Sequence, residues 1–229
     1  MQPYFIPYIG YWQLLNAVDQ YVIYDDVNFI KGGWINRNRI LINKTPQYFN
    51  IPMLGASPNK LINEVGVNHD EKIINKNLRI IKAAYGKAAM FDKVFPLIEE
   101  MFRCKETNIA AYIAKSTEVI CSYLDIETKL IISSDLDKDN TLTGQEKVLE
   151  ICRILGATDY YNAIGGRELY SFDRFEERGI RLHFLQRNEI RYPQFDDCFY
   201  PDLSIVDVMM FNTKDRVKEM LEEYTLIEH

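Results

Sequence analysis

The hydrophobic pattern of the first part of the chain predicts an extended segment, a helix and a buried strand, in that order. Pro3 and Pro7 exclude a helix, so residues 1–7 are expected to be extended or a loop. Apolar residues on one face predict a helix from about Tyr8 to Asp19. The β-rich run Tyr21–Tyr24 is typical of a buried strand. This order is that of a βαβ unit, which favours a parallel sheet with ligands near the carboxyl ends of its strands.

The rest of the chain repeats the alternation, with helical spacing in the middle. Strands are predicted at Trp34–Leu41, Gln47–Met53, Lys129–Ser133, Asp159–Asn162 and Ile180–Leu185. Helices are predicted at His69–Tyr85, Phe91–Phe102, Asn108–Tyr123, from a Thr143 cap to Leu155, at Leu203–Phe211 and at Lys214–Glu223. We therefore expect one α/β domain over residues 1–229, with a Rossmann-like, mostly parallel sheet and a helical insertion or subdomain at 69–124.

Composition narrows the class of protein. The 229 residues are 47% hydrophobic and 26% charged, as in ordinary soluble domains. The net charge of −6 argues against a nucleic-acid binder. The four cysteines form no CxxC pair, so we expect free thiols in a reducing compartment and no metal site. No signal-peptide pattern and no run of about 18 apolar residues occurs, which predicts a cytoplasmic protein without a membrane span.

Two glycine-containing turns are candidate anion sites. Gly10 lies where a helix begins, and free amide groups at a helix start attract phosphate. Gly165–Gly166–Arg167 follows a predicted strand and could form a second anion-binding turn. Tight packing at a turn explains either glycine equally well.

Polar side chains cluster after the first strand and along the second. Asp25 and Asp26 end a strand and point to opposite faces, so only one of them can enter a given pocket as a general base. Asn36 and Asn38 share one face of the next strand, where their amides could bind a hydroxyl or an oxyanion. Arg37 and Arg39 are on the other face, and either of them could bind a phosphate. A solvated strand end and an exposed edge strand are the structural alternatives.

The stretch from residue 2 to residue 40 resembles the opening of the WbqC-like family, and the later segments 146–169, 179–184 and 200–211 match it too. The resemblance implies a part in bacterial surface-polysaccharide (O-antigen, lipopolysaccharide) biosynthesis, with some members resembling acyl- or aminoacyltransferases that act on nucleotide-linked amino sugars. The pocket residues that it implies are Gln2, Pro3, Tyr4, Tyr8, Gly10, Asp25, Asp26, Lys31, Trp34, Asn36, Arg37, Asn38, Gly165, Gly166 and Arg167.

These observations lead to a working hypothesis: an N-acyltransferase that modifies the amine of a nucleotide-linked amino sugar. Asp25 or Asp26 would accept the proton, and Asn36 or Asn38 would hold the oxyanion. The expected diphosphate ligands are Lys31, Arg37 and Arg167, and the expected stacking residues are Tyr4, Tyr8 and Trp34.

The hypothesis includes no permanently bound cofactor and leaves room for an acyl donor on coenzyme A or on a carrier protein. Such a carrier would need a local basic surface, for which the helical stripe Lys72, Lys76 and Arg79 is the candidate. A glycosyltransferase that uses a nucleotide-sugar donor and a non-catalytic nucleotide-sugar-binding or scaffold protein are the alternatives. The sequence gives no oligomeric state.

Overall fold

The computed structural model of the chain describes residues 1–196 and 198–228. The helices are α1 Ile9–Asn16, α2 Glu71–Tyr85, α3 Phe91–Phe102, α4 Ile109–Leu124, α5 Gly144–Leu155, α6 Phe172–Glu176, α7 Ile205–Phe211 and α8 Lys214–Leu221. The strands are β1 Gln20–Ile23, β2 Arg37–Ile42, β3 Thr45–Asn50, β4 Met53–Leu54, β5 Gly66–Val67, β6 Lys129–Ile132, β7 Asp159–Ala163, β8 Arg181–Arg187 and β9 Tyr224–Ile227. Short 3-10 turns occupy Ile62–Glu64, Ser133–Asp135 and Ile164–Leu169. None of the helices in this described part has the length and apolar character needed to cross a bilayer.

The strands form small sheets rather than one large one. β1 pairs in parallel with β6, and β7 pairs in parallel with β8, which also pairs antiparallel with β9. The other pairs, β2 with β3 and β4 with β5, are antiparallel. The mixed α/β class predicted from the sequence is confirmed. A large central parallel sheet does not occur among the described residues.

Three elements differ from the sequence prediction in their bounds, type or cap. The predicted strand at Trp34 begins only at Arg37. Gly165–Gly166–Arg167 lies within a 3-10 helix rather than an open turn. The side chain of Thr143 does not cap α5, although Gly156 ends that helix in the left-handed conformation with φ 65°.

The main core is built around the aromatic segment that precedes α1. The ring of Phe5 is fully buried and lies 5.7–6.1 Å, between ring centroids, from the rings of Phe49, Phe102 and Tyr112. Residues of α2, α3, α4, α7 and α8 belong to the same cluster. A second cluster lies between α5, α6, β7 and β8. The N-terminal segment is thus enclosed by residues from distant parts of the sequence.

Two distant side chains hold this segment in a strained conformation. Ile6 has φ 43°, which a β-branched residue rarely adopts. The amide of Asn38 donates to the carbonyl oxygens of Phe5 and Ile6. The hydroxyl of Ser204, the N-cap of α7, donates to the same Ile6 oxygen at 2.7 Å. These hydrogen bonds offset the local strain and attach the segment to β2 and α7.

Met1 pairs with the edge of β1 that does not pair with β6. The Met1 amino group donates to the carbonyl of Val22 at 2.9 Å, and the Met1 carbonyl accepts from the Tyr24 amide at 2.8 Å. This pair of bonds around Ile23 is the pattern of a parallel ladder. Within the described chain, β1 pairs only with β6 on its other side, and β7 pairs only with β8. Residues of β1 and β7 line one cavity, so a gap separates the two strands.

Candidate functional site

The gap opens into a cavity of about 1150 Å³ that is bounded by α1, β1, α5 and β7. Its wall includes six of the residues expected from the sequence to bind substrate. They are Gln2, Pro3, Tyr4, Trp34, Gly165 and Gly166. They come from three separate parts of the chain. Gln2, Pro3 and Tyr4 follow Met1, Trp34 lies in the loop before β2, and Gly165 and Gly166 follow β7. The expected ligand position, near the carboxyl ends of parallel strands, is therefore the rim of this cavity.

The cavity wall is aromatic and nearly free of charge. Seven tyrosines line it: Tyr4, Tyr11, Tyr21, Tyr24, Tyr160, Tyr161 and Tyr170. Among the described side chains of the lining, the charged ones are Asp19 and Asp159, and no lysine or arginine is present. The interior suits an uncharged group, and a diphosphate would need cations supplied from the rim.

The carboxylate of Asp25 binds Ser134 in the loop that follows β6. It is 1% exposed and accepts hydrogen bonds from the Ser134 amide at 2.9 Å and the Ser134 hydroxyl at 2.6 Å. Ser134 follows β6, which pairs with the strand that ends just before Asp25. The contact joins the carboxyl ends of the two strands.

Asp26 forms a separate cluster with two buried lysines. The ammonium groups of Lys138 and Lys147 each lie 2.9 Å from its Oδ2, and the three side chains are at most 8% exposed. Burial raises the pKa of the Asp26 carboxyl, but Lys147, Lys138 and Ser133 together lower it by more, so the pKa lies below its usual value. Asp26 lies between Tyr24 and Val27 in the sequence, and both of these line the cavity. The Asp26 carboxylate itself is not part of the cavity lining.

The amides and cations expected at the site mostly bind the protein's own backbone. Asn36 donates to the carbonyl of Ile51 at 3.1 Å, while Asn38 holds the strained N-terminal segment. Arg37 donates to the carbonyls of Gly32 and Gly33. Lys31 and Arg167 are exposed, and neither lies in the cavity wall. Their proposed roles in binding and catalysis stay predictions.

Gly10 is required by the ring of Tyr8. A Cβ atom at Gly10 would lie 2.5 Å from Cε2 of Tyr8, far inside van der Waals contact. Neither residue lines the cavity. The glycine therefore allows Tyr8 to pack over the first turn of α1, as in the tight-packing alternative.

Two further residues lie beside Trp34. Tyr48 of β3 packs against Trp34 with ring centroids 5.9 Å apart. The guanidinium of Arg39 lies 5.8 Å from the centre of the Trp34 ring. The alternation of β2 indicated Arg39, because it shares a face with Arg37, but nothing in the sequence indicated Tyr48. Pairing across the hairpin, which places Tyr48 opposite Arg39, could not be known without the register.

The imidazole of His183 lies between two carboxylates. His183 uses both ring nitrogens, which lie 2.8 Å from Asp159 Oδ1 and 3.0 Å from Glu228 Oε1. Within residues 1–196 and 198–228, no group of three or more His, Cys, Asp or Glu side chains is arranged to hold a metal ion.

Comparison with known proteins gives the family. The model of the WbqC-like protein family matches residues 2–219. The chain belongs to the WbqC-like protein family. This WbqC-like chain is also similar to an uncharacterized protein of Mycobacterium tuberculosis, with 28% identity over 215 residues that cover 93% of this chain and 91% of the relative. No solved structure matches the chain.

Proposed function

We propose that this WbqC-like protein is a transferase that acylates the amine of a nucleotide-linked amino sugar in a cytoplasmic step of bacterial surface-polysaccharide biosynthesis. The observation that carries the proposal is that residues 2–4, Trp34 and residues 165–166 line one cavity. An uncharged, tyrosine-rich interior bordered by polar loops suits a sugar ring, whose hydroxyls and apolar faces need both kinds of contact.

The reaction proposed is attack of the sugar amine on a thioester. The amine nitrogen forms a bond to the acyl carbon, the carbon–sulfur bond breaks, and the thiol leaves with the proton that the nitrogen gives up. The donor is a thioester of coenzyme A or of a carrier protein. The exposed stripe of Lys72, Lys76 and Arg79 on α2 is the proposed docking surface for an acidic carrier.

Asp26 is the proposed proton acceptor, and because its carboxylate does not line the cavity, the proposal requires the proton to reach it through a bridging water. Its lowered pKa makes it a weak base, and a weak base suffices once the carbon–nitrogen bond has formed, because the nitrogen is then a strongly acidic ammonium. Lys138 and Lys147 keep the carboxylate ionised for this step. Asp25, which binds Ser134, would position the loop.

Product analysis tests the proposal. The protein is incubated with a nucleotide-linked amino sugar and an acyl thioester, and the products are measured by mass spectrometry. An acylated nucleotide sugar is expected from the parent chain and from the control Asp215→Asn, which makes the same change at an exposed carboxylate on α8. Asp26→Asn should lose turnover by roughly 100-fold or more. Equal turnover by Asp26→Asn and the parent would remove the base assignment, and a product that has gained a sugar would show a glycosyltransferase.

A second candidate is a protein that binds the nucleotide sugar without turnover. It is favoured by the full engagement of Asp25 and Asp26 with Ser134 and the two lysines. This alternative predicts a rise of the unfolding temperature with ligand, and no new product with any thioester.

We also propose that the strands belong to a Rossmann-like arrangement. The parallel pairs β1–β6 and β7–β8 border the same cavity, and α1 and α5 line it as crossover helices would. The strand position that begins at Met1 lies where these two pairs would join.

A further inference from the structure

An exposed aromatic surface adjoins the cavity rim. Trp34 is 41% exposed and Tyr48 is 56% exposed, and their rings lie side by side. Tyr4, which lies 5.8 Å from Trp34 between ring centroids, continues this surface into the cavity. Large aromatic rings left in water at the edge of a cavity are typical of a binding surface. Trp34, Tyr48 and Arg39 are called the Trp34 shelf below.

The guanidinium of Arg39 lies over the Trp34 ring but has no hydrogen-bond acceptor. It makes no hydrogen bond or ion pair with the described residues, and its buried Nε has no acceptor. Arg37 differs, because its guanidinium donates to two backbone carbonyls and lies 4.8 Å from the centre of the Tyr48 ring. A partly buried guanidinium without an acceptor is an available ligand for an anion.

Charge separates the shelf from the interior of the cavity. The described lining has no lysine or arginine, so an anionic group gains nothing by entering it. The shelf offers the guanidinium of Arg39, which lies 5.8 Å from the centre of the Trp34 ring, and Trp34 itself lines the cavity. A ligand with a planar ring, a phosphate and an uncharged group fits this arrangement. The aromatic rings suit the planar ring, the guanidinium suits the phosphate, and the cavity suits the uncharged group.

We propose that the Trp34 shelf is the nucleotide subsite of the protein. The base stacks on Trp34 and Tyr48, the phosphates bind Arg39, and the sugar enters the rim between Gln2 and Gly165. The assignment rests on the proposed function for the nature of the ligand. It adds the position of the nucleotide and two residues, Arg39 and Tyr48.

Tryptophan fluorescence tests the subsite directly. The chain has two tryptophans, and Trp12 is fully buried, so quenching by an added nucleotide reports Trp34. Uridine diphosphate is titrated into the full chain, and its affinity is confirmed by calorimetry. Arg39→Gln should weaken binding at least 10-fold, and Tyr48→Ala roughly 5- to 100-fold. The matched controls are Arg216→Gln on α8 and Tyr123→Ala on α4, which should bind as the parent does.

Several results would overturn the assignment. These are no quenching at millimolar nucleotide, equal losses in the control variants, or equal affinity for uridine diphosphate and inorganic pyrophosphate, which would leave the rings without a part in binding. Circular dichroism of each variant separates lost binding from lost folding. Nucleotide binding without acyl transfer would refute the transferase and keep the shelf, whereas acyl transfer in Arg39→Gln with unchanged KM would refute the shelf and keep the transferase.

Discussion

Lys147 reaches from α5 to Asp26, and its ammonium nitrogen lies 2.9 Å from Oδ2 of that carboxylate. The same nitrogen donates to the Asp26 carbonyl at 3.1 Å and lies 5.2 Å from the centre of the Tyr24 ring. Lys138 approaches the carboxylate from the loop after β6. One carboxylate thus joins the loops that follow β1 and β6 to the first turns of α5.

Loss of this carboxylate is expected to destabilise the fold. Asp26→Asn leaves two buried ammonium groups without a counter-charge, which should lower the free energy of unfolding by about 3 kcal/mol. Denaturant titration at pH 7 measures the change. In the Lys147→Met background the same substitution should cost clearly less, because only one ammonium then remains; equal costs would show that the cluster is not coupled.

The cluster also predicts an acid dependence. The pKa of Asp26 is lower in the folded chain than in the unfolded one, so its contribution is complete above the unfolded pKa near 4 and is lost as the pH falls through the folded value. The parent should therefore lose more stability than Asp26→Asn between about pH 5 and pH 2. Thermal unfolding across that range gives the comparison, and parallel curves would contradict it.

Tyr85 is expected to matter more than its neighbour Tyr192. Its hydroxyl accepts from the Leu41 amide at 3.0 Å and donates to the buried carboxylate of Asp207 at 2.7 Å. Tyr192 donates only to the other oxygen of Asp207, which Gln194 also serves. Tyr85→Phe should cost about 2–3 kcal/mol and Tyr192→Phe about 1 kcal/mol, measured by denaturant unfolding.

Gly10→Ala tests the packing of Tyr8 on α1. The new methyl group must displace the Tyr8 ring, and the expected cost is about 1–2 kcal/mol. In a Tyr8→Ala background the ring is gone, so Gly10→Ala should be neutral or slightly stabilising, since alanine favours helix. A double-mutant cycle by thermal unfolding measures the coupling. The same cost in both backgrounds would show that the ring does not restrict residue 10.

The open edges of β1 and β7 predict that an added strand stabilises the chain. Residues of both strands line the same cavity. Burial lowers the pKa of the Met1 amino group to about 5, and an amide at that nitrogen removes the cost of the charge. Adding Thr-Val-Ile-Val ahead of Met1, after a new initiator, should raise the unfolding temperature by roughly 5–10 °C.

A Gly-Ser-Gly-Ser extension is the matched control, because it has the same length without apolar side chains. Hydrogen exchange should slow in residues 20–23 and 159–163 only with the apolar extension. Equal stabilisation by both extensions, or unchanged exchange in β7, would refute the strand position.

The fold was predictable where local pattern and tertiary packing agree. The predicted α3 has the observed bounds, Phe91–Phe102, because its apolar face repeats at helical spacing and polar residues flank it. The edge strand β9 was missed, because Tyr224–Ile227 alternates too briefly to be separated from a helix end. Pairing between distant strands, as of β1 with β6, depends on contacts over more than 100 residues, which no local pattern records.

The site was predictable in part for the same reason. Gln2, Tyr4 and Trp34 were expected from the family resemblance and do line the cavity. Asn38 could not be assigned correctly from its type alone, because an amide that binds a ligand and one that holds a strained backbone look alike in a sequence. That the tyrosines of β1 and β7 line one cavity depends on the relative position of the two strands, which the sequence does not record.

The conformation of Ile6 has a consequence for the order in which the chain matures. Its carbonyl needs the hydroxyl of Ser204, which lies 198 positions later in the sequence. At ribosomal rates of about 5–20 residues per second, that partner emerges roughly 10–40 seconds after the segment it secures. The segment around Ile6 is therefore translated long before the residue that holds its conformation. Its aromatic rings stay exposed during that interval.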